Sequence, residues 1–292
     1  QEHPGMNPAF TEYADEYLRE EDIADEEGNI LVVPEIYCER TMRYQNLSVY
    51  IWWLSVDNYL IHNSFVDRRR ANGTLRAIKA LVTGKLKDKT AFVKKAKKHL
   101  CQSYYAIHYL KTIGITGETV SYLSDYVNDI YLAGEEAALR EKKEDVVLYN
   151  PKKGAAFTKA LREAAPDLKW VPLIGMTTEE MRSCMSKSKV YIDFGNHPGK
   201  DRIPREAAIS GCVVITGKRG AAAFAEDVCI PNQYKFDEAY AKKEDIISCI
   251  RDCICNFDAH KVDFDGYRSY IRNEHQQFIA DVKKIFVNED YT

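Results

Sequence analysis

The chain has 292 residues, with 41 Lys and Arg against 44 Asp and Glu, a formal charge of −3, and 45% hydrophobic residues. That balance excludes a globally disordered chain, which lacks the apolar content for a core, and a dedicated nucleic-acid binder, which would be clearly basic. No apolar run approaches the roughly 20 residues that span a bilayer, and the opening QEHPGMNPAFTEYADEYLREED is acidic and polar, unlike a secretory leader. A cytoplasmic protein with reduced thiols is therefore expected, its eight cysteines scattered through mostly apolar surroundings. Cys249-x3-Cys253-x-Cys255 forms a cluster without the second pair that a zinc site needs, so no metal is expected there.

In chain order, residues 29–34 read as a buried strand with Glu35 just past its end, and 49–54 as a second, opening into Ser55-Val56-Asp57. Residues 67–99 are basic and helical in pattern, with seven lysines between 85 and 98. This basic stretch reads as a solvated helix face or as a peripheral contact with anionic lipid headgroups. A short strand is predicted at 100–103, a helix at 104–113 and a fourth strand at 119–123, followed by Asp125. His99 and His108 are expected on helix surfaces, and the adjacent Trp52 and Trp53 on opposite faces of a strand, packed in the core. The charged stretch 134–144 reads as a helix or linker, which divides the chain into domains 1–143 and 144–292.

A second α/β run follows. Residues 145–150 form a strand whose exit is Asn150-Pro151-Lys152-Lys153-Gly154, then come a helix at 155–165 and a strand at 169–173. Thr177 and Glu180 have the spacing of a capping box. The apolar run Val190-Tyr191-Ile192 then enters the loop Gly195-Asn196-His197-Pro198-Gly199-Lys200-Asp201-Arg202. Pro204-Arg205-Glu206-Ala207-Ala208-Ile209 reads as a helix with proline near its start, closed by Gly211. The strand 213–216 runs into Gly217-Lys218-Arg219-Gly220. Strands alternating with helices predict parallel sheets, whose ligands bind beyond the carboxyl ends of the strands. With glycine and cations at those ends, the expected guest is phosphorylated.

The run P-x-E-A-A-x-x-G-C-V-V-I after a glycine loop resembles the donor site of GT-B glycosyltransferases, over roughly residues 144–285. The resemblance implies an α/β protein of two Rossmann-like domains, the first on the acceptor side and short or incomplete, the second binding a nucleotide-sugar. It implies sugar transfer from a nucleotide-diphosphate donor to a glycan or lipid-linked acceptor, as in polysaccharide biosynthesis, with no cofactor or metal. Glu206 matches the acid that holds the ribose. Eight residues earlier, where retaining members carry a second acid, stands Pro198, with His197 and Asp201 near but out of register. The donor side then comprises Asn150, Lys152, Lys153, Gly154, Gly199, Lys200, Asp201, Arg202, Arg205, Glu206, Lys218 and Arg219.

Transfer needs stabilisation of the leaving diphosphate and, in an inverting enzyme, a base for the acceptor hydroxyl. Glu35, Asp57 and His197 are the catalytic candidates, with Asp125 a further acid at a strand end. Each acid also reads as a helix cap or a loop acid bonded to backbone. Retention and inversion both stay open. Two other readings remain: a sugar-nucleotide epimerase of similar architecture, and a non-catalytic binding protein with a degenerate site.

Overall fold

The computed structural model describes residues 18–287. Its first half holds β1 (Ile30–Pro34), β2 (Ser48–Trp53), α1 (Val56–Asn63), α2 (Phe65–Asn72), α3 (Thr74–Val82), α4 (Thr90–Lys95), β3 (Lys98–Cys101), α5 (Tyr104–Thr112) and β4 (Val120–Tyr122). The strands pair in the order β1-β2-β3-β4, all parallel. Period-2 alternation sorts β2 between two cores. Val49, Ile51 and Trp53 pack with Val33, Cys101 and Leu110, while Tyr50 and Trp52 face Leu100 and Leu123 on the other side. Both tryptophans are structural, as expected.

Helices α6 (Asp129–Ala133) and α7 (Glu135–Arg140) lead into the second half. It comprises β5 (Glu144–Tyr149), α8 (Ala155–Ala164), β6 (Lys169–Pro172), α9 (Thr178–Ser186), β7 (Ser188–Asp193), α10 (Arg202–Ile209), β8 (Val213–Gly217), β9 (Lys235–Phe236), α11 (Lys243–Cys255), α12 (Phe257–Val262) and α13 (Asp265–Phe286). The capping box forms in full. Thr177 Oγ1 accepts from the Glu180 N–H at 3.2 Å, and the Glu180 carboxylate accepts from the Thr177 N–H at 2.8 Å.

The second sheet is parallel with order β6-β5-β7-β8-β9. The chain goes outward from β5 to β6, then returns past β5 to β7. The strand order therefore reverses between β5 and β7, and their exit loops diverge there, leaving the crevice in which such sheets bind ligands. The chain then crosses back: Phe278, Val282 and Ile285 of α13 pack on Leu100 and Leu123 of the first half.

Two expectations are corrected. The basic stretch 85–98 is not one helix: α4 occupies only its middle, and Lys89 bonds Glu39 and the Ile36 carbonyl. His99 sits on β3, buried, its Nδ1 accepting from Trp53 Nε1 at 3.1 Å. Burial drives its pKa down to about 4, so the ring stays neutral at ordinary pH. β9, two residues long, carries too little pattern to be seen in sequence. The cysteines are free, and Cys38, Cys101, Cys212 and Cys253 are buried. Among the described residues no helix is long and apolar enough to cross a membrane.

Candidate active site

The exit loops of β5 and β7 touch backbone to backbone at the point of strand reversal. Gly154, at the start of α8, has φ +52, and a Cβ there would lie 1.9 Å from the Phe194 carbonyl oxygen. Asn150 Oδ1 accepts from the Lys152 N–H at 3.0 Å and tightens the turn. Lys153 then reaches across to the β7 loop and bonds the Asp201 carboxylate, with Asp193 at 3.7 Å.

Asp193 ends β7 inside the protein, where Tyr191 donates its hydroxyl to it at 2.8 Å. His197 is wholly buried, with Nε2 at 3.7 Å from Asp193 and Nδ1 at 2.9 Å from Asp201. Burial alone would raise the Asp201 pKa. The His197 hydrogen bond and the Lys153 charge outweigh it and hold the carboxyl below its usual range. Asp201 thus binds two side chains and leaves the N-terminus of α10 without a side-chain cap. The first N–H groups of α10, those of Arg202 and Ile203 ahead of Pro204, take no side-chain cap among the described residues. The loop is pinned on its other side too: a Cβ on Gly199 would meet the Leu54 carbonyl at 2.1 Å.

Glu206, on α10, is nearly buried; burial raises its pKa against the pull of Arg202, Arg205 and the Tyr131 hydroxyl. Arg202, Lys152 and Lys218 are exposed around this crevice. Arg219 is also exposed and lies 3.5 Å from Glu238, which accepts the Gly195 N–H at 2.7 Å.

The two halves meet across these loops. The Val56 N–H at the start of α1 donates to the Pro198 carbonyl at 2.9 Å. Asp57 accepts from Tyr105 Oη at 2.8 Å and from Asn196 Nδ2 at 2.7 Å, joining α1 and α5 to the β7 loop. Burial raises its pKa, with Tyr105 opposing. It lines a cleft of about 440 Å³ together with Asp67, Arg70, Tyr105, Asn196 and Arg219.

No family model matches this sequence, and neither does any curated protein. Solved structures do match in fold. A UDP complex of S. aureus TarM superposes with TM-score 0.62 at 13% identity, over 92% of this chain and 57% of that one. Sucrose-phosphate synthase from Thermosynechococcus elongatus gives 0.60 at 12% identity, over 88% and 73%. Anabaena HepE in complex with UDP-glucose gives 0.54 at 11% identity, over 87% and 78%. This chain has the GT-B fold. It spans little more than half the length of TarM, and at such identities the likeness concerns fold and not reaction.

Within the GT-B frame, the residues named from sequence divide. Asn150, Lys152, Lys153, Gly154, Gly199, Asp201, Arg202 and Glu206 lie on the two exit loops and α10, and Lys218 and Arg219 at the end of β8. Arg205 and Lys200 are corrections. Arg205 is fully buried and donates to Glu274, to Asp125 and to the carbonyls of Lys200 and Asp201. Burial opposes its charge, but Glu274 and Asp125 outweigh that and keep it protonated. Lys200 is buried against Glu274 at 2.8 Å and the Tyr270 hydroxyl at 2.7 Å. Neither cation is free for a phosphate.

Two acids are corrected as well. Asp125 is the partner of Arg205 at 2.7 Å. Glu35 is buried behind the β2 exit, accepting the Leu54 N–H at 2.9 Å in a backbone-fixing role. His197, another catalytic candidate, is wholly buried against Asp193 and Asp201, so of the candidates named from sequence Asp57 is the one that lines the cleft. The sequence reading passed over Asp193, Asn196, Tyr105, Tyr131 and Glu238. For Asp193 a signal existed, an acid ending an apolar strand; the others lie up to 139 residues in sequence from the groups they meet.

Proposed function

We propose that this chain is a glycosyltransferase that moves a sugar from a nucleotide-diphosphate donor to a glycan or lipid-linked acceptor in the cleft between its halves. The observation that carries the reading is the crevice at the β5/β7 reversal. There Lys153 reaches the β7 loop, α10 begins without a side-chain cap, and Asn196 of the same loop bonds Asp57, which lines the cleft. Lys152, Arg202, Lys218 and the N-terminus of α10 take the diphosphate's charge, with no metal required. Glu206 takes the ribose hydroxyls, as in the family pattern. Proteins of the same fold solved in complex with UDP and with UDP-glucose support the donor class.

Asp57 receives the acceptor's hydroxyl proton. The acceptor oxygen bonds the anomeric carbon as the bond from that carbon to the diphosphate oxygen breaks, and the nucleoside diphosphate leaves with the electron pair. Tyr105 and Asn196 orient the carboxylate, and its raised pKa makes it a better base than an exposed aspartate.

The test separates the two roles. Glu206→Gln should weaken nucleoside-diphosphate affinity about tenfold in calorimetry, the scale of one lost charge-assisted pair. Asp57→Asn should keep that affinity and abolish turnover. Unchanged affinity in Glu206→Gln removes the donor assignment. A second reading rests on Pro198 standing where retaining members carry an acid: a protein that binds the donor without transferring it. Donor binding with no turnover by the unaltered chain would select it.

A further inference from the structure

Helix α3 is mounted inside out. Its small residues Ala77 and Ala80 are 0% and 3% exposed, while Leu75, Ile78, Leu81 and Val82 are 85%, 46%, 55% and 81% exposed. At 100° per residue, Ile78, Val82 and Leu75 fall on one arc opposite Ala80, so the outermost face of the helix is apolar. Val66 on α2 adds to the exposed apolar surface at 57%. Scattered single exposures need no explanation; a continuous outward stripe does.

The surrounding charge says what covers it. Between Asp67 and Asp88 the chain carries seven cations, namely Arg68 to Arg70, Arg76, Lys79, Lys85 and Lys87, and no acid, in a molecule of net charge −3. On α3 itself Lys79 and Arg76 flank the apolar stripe. A second copy of the chain docking by this face would bring two such cationic sets together, and like charges disfavour it. A nucleic acid would leave the leucine, isoleucine and valine unused. An anionic bilayer satisfies both features, with headgroups against the cations and acyl chains over the apolar residues.

We propose that α2 and α3 form an interfacial docking surface for anionic lipid membranes, with Leu75, Ile78 and Val82 inserting and the surrounding arginines and lysines binding headgroups. The docking does not depend on the transfer reaction. It does set a geometry for it, because Asp67, Arg70 and Ala71 of α2 also line the cleft. The docked face therefore adjoins the cleft mouth, where a lipid-linked acceptor would arrive.

Flotation of the full chain with phosphatidylcholine vesicles, with and without phosphatidylglycerol, tests this. The chain should float with the anionic vesicles only and be released as salt rises. The variant Leu75→Ser/Ile78→Ser/Val82→Ser should bind at least about tenfold more weakly, given three lost apolar anchors, with an unchanged circular dichroism spectrum and melting curve. Failure of the unaltered chain to float, or equal flotation of the variant, would overturn the proposal. So would a dimer in light scattering that the triple substitution dissolves, which assigns the face to a second copy.

Discussion

Helices α10 and α3 invert each other. α10 buries Arg205 and Glu206 inside the molecule, while α3 holds leucine, isoleucine and valine out in solvent. The charges on α10 are tolerable because Glu274 and Asp125 surround Arg205 with carboxylates and the carbonyls of Lys200 and Asp201 take its remaining N–H groups. Among the described residues, nothing comparable covers α3. A buried charge with its partners in place, as Arg205 is, describes how a fold is held, whereas an exposed apolar stripe describes where something else binds.

The largest effect should come from breaking the α10 arrangement. Arg205→Met leaves Asp125 without its partner and should cost about 3 kcal/mol, lowering the melting temperature by roughly 8 °C. Adding Asp125→Asn should return part of that loss, because Glu274 keeps Lys200 as its partner. A variant that melts normally but loses nucleotide affinity would show instead that Arg205 serves the ligand.

A smaller effect sharpens the contrast between paired and unpaired burial. Asp227 is buried with no countercharge in contact among the described residues, accepting the Tyr104 and Tyr105 N–H groups at the start of α5 at 2.8 and 3.0 Å. Burial raises its pKa to about 6, above the unfolded value near 3.9; the two N–H groups and more distant Lys200 pull down, and Glu226 pushes up. A raised carboxyl pKa means that the fold prefers the protonated form. Its contribution to stability is therefore greatest below about pH 4 and is lost as pH rises through 6. Relative to Asp227→Asn, the unaltered chain should lose a few degrees of melting temperature between pH 4 and 7. Parallel melting curves for the two proteins would refute the account.

The smallest effect belongs to α3. Leu75→Ser alone should change stability by no more than about 0.5 kcal/mol, because the side chain meets solvent. A loss of several kcal/mol would mean that Leu75 packs against part of the chain, and the contrast with α10 would fail.

Much of this was legible in advance. Eight of the nine strands follow from apolar runs bounded by glycine, proline and charge, and the capping box from two residues at the right spacing. The donor loops were visible because glycines and cations cluster at strand ends. What sequence could not sort was the cations themselves. Lys200, Arg202 and Arg205 lie within six residues, yet two are buried and one is exposed. The same holds for the acids Glu35, Asp57 and Asp125, each following a strand, of which only Asp57 lines the cleft.

By itself, then, the sequence determined two parallel α/β halves, the loops at the reversal of the second sheet and the cationic run of α2 and α3. Those features rest on local periodicity and composition, which act over a few residues. Tertiary structure decided which charged groups remain for a ligand, because that depends on partners from elsewhere. Glu274 and Tyr270 on α13, about 70 residues downstream, take Arg205 and Lys200 into the interior, and Asn196 meets Asp57 from 139 residues away. A charge costs too much to bury alone, so its fate is set by whichever element the fold brings to it.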